Sequence, residues 1–211
     1  MKKHGIFFGL TALLLTACGG AEEGTEEVVE EVVVAEECMY SYNPEETVLT
    51  WKAFKLTKRA AVSGTFDEIN VTTAGESEDM FGALVGATFE IPINSLNSQD
   101  EVRDPKIKNS FFGVMNETEF ITGSVDALSD KEGTVSIKMN GITIQYPGEV
   151  KVDEEYITLL TTINITDFDG QPSLDSLGVV CEAKHTGDDG VNKLWSDVEI
   201  AVKTKLNKTC E

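Results

Sequence analysis

Apolar and polar residues alternate with a period of two along most of this chain. In "GATFEIPINSL" (86–96), Ala87, Phe89, Ile91 and Ile93 are apolar, and Thr88, Glu90, Pro92 and Asn94 fall between them. "TVSIKMNGITIQYPGEVKV" (134–152) gives Val135, Ile137 and Met139, then Ile142, Ile144 and Tyr146, with Asn140-Gly141 as a turn or bulge between the two runs. "EYITLLTTINIT" (155–166) sets Ile157, Leu159, Thr161, Ile163 and Ile165 on one side. In "LWSDVEIAVKTKL" (194–206), Val198, Ile200 and Val202 alternate with Asp197, Glu199, Ala201 and Lys203. "TVLTWKAFKL" and "VSGTFDEINV" read as less regular strands. Such alternation marks strands with one buried face.

Strand follows strand with no long helix between, so the sheet is expected to be antiparallel. Each apolar face needs a cover, and no helical layer is on offer. The sheet then closes on itself or packs on a second sheet. The reading adopted is all-β: a closed antiparallel barrel of about eight strands, wide enough inside for a small ligand. A side-chain-filled sandwich is the alternative, and the pattern alone does not separate the two. Two short helices are expected over the barrel ends. In "EVRDPKIKNSFFGV" (101–114), Asp104 is placed as N-cap and Pro105 as first helical residue. Ile107 and Phe111 lie four apart, and Gly113 suits a left-handed stop. In "PSLDSLGVVCEAKHTG" (172–187), Ser173 caps, Leu174, Leu177 and Cys181 share a face, and Gly187 ends the helix.

The chain begins "MKKHGIFFGLTALLLTACGG", a basic start and an apolar run too short for a stable membrane span. Leu15-Thr16-Ala17-Cys18 resembles the lipobox of bacterial lipoproteins, which implies cleavage before Cys18 and lipidation of its thiol. Residue 19 is glycine, not the aspartate that resembles an inner-membrane retention signal. The expected location is therefore the bacterial envelope, lipid-anchored, with the outer membrane preferred. Residues 18–37 then form an acidic tether: Gly19 to Glu37 holds eight glutamates and neither a basic nor an aromatic residue. Its acidity also resembles a surface-export signal of some Bacteroidetes lipoproteins. The division is thus 1–17 export signal, 18–37 lipidated cysteine and tether, and 38–211 barrel domain.

Without residues 1–17 the chain carries 15 basic and 37 acidic residues, a net charge of about −22. Nucleic acids and anionic membrane surfaces need clustered Lys and Arg, so neither is an expected partner. One histidine, His185, remains, which argues against a multi-histidine metal site. It is expected to act as a favourable charge near a helix C-terminus. No Ser-His-Asp spacing, phosphate loop or Cys-x-x-Cys is present, so no catalytic residue and no enzyme activity are assigned.

Past Tyr40 the residues resemble a known family. "VLTWKAFKL…VSGTF", "FEIPINSLNSQDEVRDPKIKNSFF", "TEFITGSV" and "GTVSIKMNGITI" occur in an order similar to YceI-like proteins, over roughly Tyr40 to Leu206. The most specific part is Ser95-Leu96, then Arg103-Asp104, a short helix and Phe111-Phe112. The resemblance implies a lipocalin-like barrel that takes a long isoprenoid lipid, quinone-type tails included, in an apolar tunnel. Departures exist: Pro105 and Lys106 stand where the family often has a histidine, and Asn116 to Glu119 replaces a common Tyr-Pro. The segment with Cys181 and His185 resembles an insertion.

An apolar tail needs aromatic and branched walls with few polar groups at the mouth. The wall candidates are Trp51, Phe54, Phe66, Phe89, Phe120, Ile137 and Ile144, together with Ile91, Ile163 and Val198. Phe111 and Phe112 are candidates for a lid. Arg103 is the headgroup candidate, since its fork suits a carbonyl or phosphate; an ion pair with Asp104, Glu101 or Asp100 is the plainer role. No cofactor is implied beyond a bound isoprenoid-type lipid. The competing function is an interaction protein, a filled barrel presenting an acidic surface to a protein partner. The oligomeric state is left open.

Cysteines fit an oxidising compartment. In a closed antiparallel barrel with an even strand count, the first strand pairs with the last. Cys38 then lies beside Cys210, and a bridge between them is expected, with Cys181 a buried thiol. Pairs 38–181 and 181–210 are the alternatives.

Overall fold

The computed structural model describes residues 36–72, 75–117 and 119–211. The export segment, the lipidation candidate Cys18 and the tether as far as residue 35 lie outside the described residues.

Eleven strands form one antiparallel sheet. They are β1 (Cys38–Tyr42), β2 (Val48–Lys55), β3 (Ala60–Phe66), β4 (Asn70–Thr72), β5 (Thr88–Pro92), β6 (Leu96–Asn97), β7 (Phe120–Leu128), β8 (Glu132–Met139), β9 (Ile142–Asp153), β10 (Tyr156–Asn164) and β11 (Leu194–Cys210). Hydrogen-bonded neighbours run β4-β5-β7-β8-β9-β10-β11-β2-β3-β6, and β1 pairs off this path with β11. The sheet curls on itself, one of the two arrangements that the alternation allowed: along β8 the buried residues include Val135, Ile137 and Met139, and along β10 they are Ile157, Leu159, Thr161 and Ile163. Asn140 and Gly141 both have positive φ and make the tight turn from β8 to β9.

The closed eight-stranded barrel is corrected to an open curled ladder of eleven strands. Among the described residues, β4 and β6 stand at its two ends without pairing to each other. The cause is two chain breaks that face one another. β3 ends at Phe66, bends over 67–69 and resumes as β4. β5 ends at Pro92, makes a 3₁₀ turn over Ile93–Ser95 and resumes as β6. Proline has no N–H for a ladder, and the Ser95 hydroxyl donates back to the Pro92 carbonyl at 2.8 Å. In place of a continuous ladder, the Asp67 N–H donates to the Ser95 carbonyl at 2.9 Å and the Asn97 side-chain amide donates to the Asp67 carboxylate at 3.0 Å.

Two glycines shape the interior. Gly64 pairs with Trp51 and Gly123 with Phe89 across neighbouring strands. A Cβ at Gly64 would meet the Trp51 ring at 2.5 Å, and one at Gly123 the Phe89 ring at 2.3 Å. Each bare backbone is the surface on which an aromatic ring lies.

Cys38 and Cys210 form a disulfide, opposite one another in the β1–β11 register. The first and last strands do pair, though β1 clips to the far end of β11 rather than closing the main ladder. Cys181 is a free thiol and half-buried, not fully buried as expected.

The first helix is less regular than its sequence suggested. One α-helical turn, α1 (Asp104–Lys106), runs into a π-helical turn over Ile107–Phe111 and a 3₁₀ turn over Phe112–Val114. The Phe112 N–H donates to the carbonyls of both Ile107 and Lys108, the mark of a widened turn. Asp104 is not the cap. Arg103 holds the N-cap position without a side-chain bond, and Asp100 caps the turn that leads into the helix, accepting from the N–H groups of Val102 and Arg103 at 3.0 Å each, two bonds that hold its carboxyl below the usual range. Gly113 lies inside the 3₁₀ turn without a positive φ, so it is no left-handed stop. In the second helical region α2 (Gln171–Val180) and α3 (Glu182–His185) meet at Cys181. Gly170, not Ser173, stands at the start, and Ser173 is fully buried. Thr186, not Gly187, follows the last turn.

Candidate functional site

Two apolar cavities lie inside the curled sheet. The first, about 160 Å³, is lined by side chains of β2, β3, β5, β7, β8, β10 and β11, with Tyr42 of β1 and Leu84 of the 75–87 connection. The second, about 130 Å³, lies toward the helices, against Phe111, Phe112, Leu174 and Leu177. Phe66, Ile121, Met139, Ile163 and Ile200 are walls of both, so the cavities adjoin. Among the described residues no Lys, Arg, His, Asp or Glu lines either one.

The wall candidates divide between the two. Phe66, Phe89, Ile91, Ile137 and Ile163 line the first cavity. Trp51, Phe54, Phe66, Phe111, Phe112, Ile163 and Val198 line the second. Ile144 packs against the core without facing either. Phe120 is 40% exposed at the start of β7 and faces neither. Phe111 and Phe112 are buried and meet edge to face, with ring centroids 4.9 Å apart. They cover the second cavity at the helix end, where the widened turn buries two consecutive rings.

Arg103 stands outside both linings. Its Nε donates to the Ser98 hydroxyl at 2.8 Å and a terminal nitrogen reaches the Ser98 carbonyl. Asp104 accepts from the Ser98 N–H at 3.0 Å and from the same hydroxyl. Ser98 is 3% exposed, so this triplet staples the end of β6 to the helix start. Among the described residues no carboxylate forms an ion pair with Arg103. Lys108 donates to the Asn94 carbonyl at 2.8 Å and adds a second tie.

His185 is not a helix-end charge. It is 7% exposed, and burial, reinforced by the positive charge of Lys55, pushes its imidazole down to about 4. It is neutral at physiological pH and lines neither cavity.

The candidate list missed the polar corner of the first cavity: Tyr42, Thr47 and Thr204. The signal was present for two of them. The inward set Leu49 and Trp51 extends back by two to Thr47, and Val198, Ile200 and Val202 extend forward by two to Thr204. The Tyr42 hydroxyl is buried with no hydrogen-bond partner among the described residues.

The model of the YceI-like domain family matches residues 40–206. A polyisoprenoid-binding domain from Saccharophagus degradans, implicated in plant cell wall breakdown, superposes with a TM-score of 0.53 at 14% identity, covering 83% of this chain and 100% of that one. BcnA from Burkholderia cenocepacia superposes with a TM-score of 0.50 at 11% identity, covering 79% of this chain and 99% of that one. Comparison with curated proteins returns no sequence match. The structural likenesses show the shared fold, and the family match over the curled sheet and both its ends shows that the chain belongs to the YceI-like family.

Proposed function

We propose that this domain is a non-enzymatic carrier that buries the apolar tail of an isoprenoid or quinone-like lipid along the two adjoining cavities. The observation that carries the reading is their lining: apolar side chains from most strands and from Phe111 and Phe112, with five residues in common and no ionisable carboxyl, amine, guanidinium or imidazole group. Burying such a tail releases about 0.8 kcal/mol per methylene. A polyisoprenoid-binding relative of the same fold supports the choice of ligand class. If each bent pair, β3 with β4 and β5 with β6, is counted as one strand, the main ladder has eight strands around the tail, the lipocalin-like form, with β1 added off it along β11.

A dry apolar void of about 150 Å³ takes up a benzene-sized molecule, so each cavity holds roughly one short branched unit. A long tail threads both, and the shared walls give way. Met139, flexible and polarizable, is the side chain suited to do so. A filled interior serving only an acidic outer surface does not account for two adjoining apolar cavities.

We place the domain at the bacterial envelope, held through lipidated Cys18 on the acidic tether, where it stores or transfers its lipid. Release of a Cys18→Ala variant from the membrane fraction is the expected outcome; retention of that variant would refute the anchor. Native mass spectrometry after gentle extraction tests the lipid. A co-purifying apolar molecule, or uptake of an added isoprenoid quinone, is expected. Neither appearing would overturn the reading.

A further inference from the structure

We infer that the tunnel selects a lipid whose polar end is uncharged and bears a hydrogen-bonding oxygen, and that Tyr42 is the residue that holds that oxygen. The inference rests on the lipid-binding reading above and specifies its ligand.

Tyr42 lines the first cavity, and its hydroxyl is buried without a partner. A buried hydroxyl in this state has lost water and gained nothing in exchange. The strand that carries it is fixed: Tyr42 stands opposite the fully buried Leu206 in the β1–β11 ladder, and the Cys38–Cys210 disulfide closes the far end of that ladder. The backbone that carries the hydroxyl is therefore held in place.

Two more hydroxyls complete the corner. Thr47 Oγ1 and Thr204 Oγ1 are 2.7 Å apart, and Thr47 Oγ1 also donates to the Asn43 carbonyl at 2.9 Å. Each hydroxyl has one proton. Thr47 reaches the Asn43 carbonyl and Thr204 Oγ1 reaches the Lys205 carbonyl at 3.4 Å, so either hydroxyl can donate in the pair, and in both arrangements the Thr204 oxygen keeps a free lone pair. The corner can thus give one hydrogen bond from Tyr42 and take one at Thr204. A carbonyl or alcohol oxygen uses the first.

What the cavities lack is as informative. No cation lines either of them. A phosphate or pyrophosphate brought inside would lose its water without a counter-ion, at a prohibitive cost. Both guanidiniums near the helix end are engaged: Arg103 by Ser98, and Arg59, stacked on the Phe54 and Trp195 rings of the second cavity's wall, by Asp197. The net charge of −20 repels anions from the outside as well.

The test compares three probes of one chain length, an uncharged polyprenol, its monophosphate and the parent hydrocarbon without oxygen. Binding of each is measured for the full chain in mild detergent, for the wild type and for Tyr42→Phe. The alcohol is expected to bind the wild type at least about tenfold more tightly than the phosphate. Tyr42→Phe is expected to weaken the alcohol roughly three- to tenfold, the value of one neutral hydrogen bond, and to leave the hydrocarbon unchanged. Equal losses for alcohol and hydrocarbon would show a packing role only, and no loss for either would show that the hydroxyl is idle. Phosphate binding as tightly as alcohol would also overturn the inference. Failure of the wild type to bind any probe would instead refute the lipid reading itself. Should Tyr42→Phe fold poorly, Thr204→Val is expected to show the same split between alcohol and hydrocarbon at a smaller size, and an equal effect on both would refute the corner.

Discussion

The two ends of the curled sheet treat their polar groups in opposite ways. At the helix end the groups around the first helical turn are tied, and of the buried polar atoms there only His185 Nδ1 in α3 lacks a partner among the described residues. Ser98, Arg103 and Asp104 bond to one another, Lys108 bonds to Asn94, and Asn140 bridges the Asn116 N–H and the Phe168 carbonyl at 2.7 Å each. At the β1 end a disulfide fixes the strand, yet the Tyr42 hydroxyl is buried with nothing to bond. The difference separates two kinds of buried polar group. A satisfied network specifies a fold, and an unsatisfied hydroxyl on a fixed strand at a cavity wall is a site for a partner to complete.

The largest expected effect breaks the tied end. Phe112 is buried, packed on Phe111 and Leu174 is close by in the same cavity wall. Phe112→Ala should lower stability by about 3–5 kcal/mol, read as a reduced urea midpoint. An unchanged midpoint would show that the helix end is a loose flap. Next in size is the clipped end. Replacing Cys38 and Cys210 with serine removes a link between residues 172 apart and should cost about 2–4 kcal/mol. Hydrogen exchange should then accelerate in β1 while residues 98–114 keep their protection. Equal loosening at both ends would erase the contrast between them.

Much of the fold was legible because period two maps directly onto burial. Ile157, Leu159, Thr161 and Ile163 face inward as read, and Asn140-Gly141 makes its turn. The breaks at 67–69 and 93–95 were not legible. Ile93 keeps the apolar parity of Ile91 and is buried while the backbone around it is already a 3₁₀ turn, so the pattern runs on through a strand that has stopped. Asp104 before Pro105 looked like a cap because Asp-Pro often is one. Asp100 won because the turn from Asp100 to Arg103 begins earlier, which frees Asp104 to bind Ser98. Walls such as Phe66 and Ile137 were readable from type and parity. Tyr42 was not, since β1 is short, half-buried along its length, and pairs only with the end of β11. Arg103 was singled out for its charge, and charge turned out to be what the cavity walls exclude.

A third prediction sets the histidine of the second helical region against both ends. The folded His185 titrates near 4, below its ordinary 6.5. Between those values the unfolded chain binds the proton and the folded one does not. Stability from this group is therefore complete above pH 6.5 and is lost as pH falls toward 4. The loss amounts to about 2–3 kcal/mol from two units of titration. Urea midpoints of the wild type and His185→Leu, compared at pH 7.5 and 4.5, isolate it from the carboxylates common to both. The wild type should fall further, and parallel falls would show that the imidazole is hydrated in the folded state.

The smallest change is also the sharpest, because it predicts a difference of sign between two hydroxyl deletions. Ser98→Ala removes the oxygen that receives Arg103 Nε and donates to Asp104. It leaves a guanidinium N–H without its partner and should cost about 1–3 kcal/mol. Tyr42→Phe removes a hydroxyl that has no partner to abandon. In lipid-free protein it should cost nothing, and relief of the desolvated group should raise stability by up to about 1 kcal/mol. Addition of an uncharged oxygen-bearing lipid should reverse the order of the wild type and Tyr42→Phe, since only the wild type gains the extra bond and ligand binding stabilises by mass action. Thermal unfolding of both proteins with and without a polyprenol reads that reversal. A loss of stability in lipid-free Tyr42→Phe would mean that the hydroxyl already has a partner, and the contrast between the two ends would collapse.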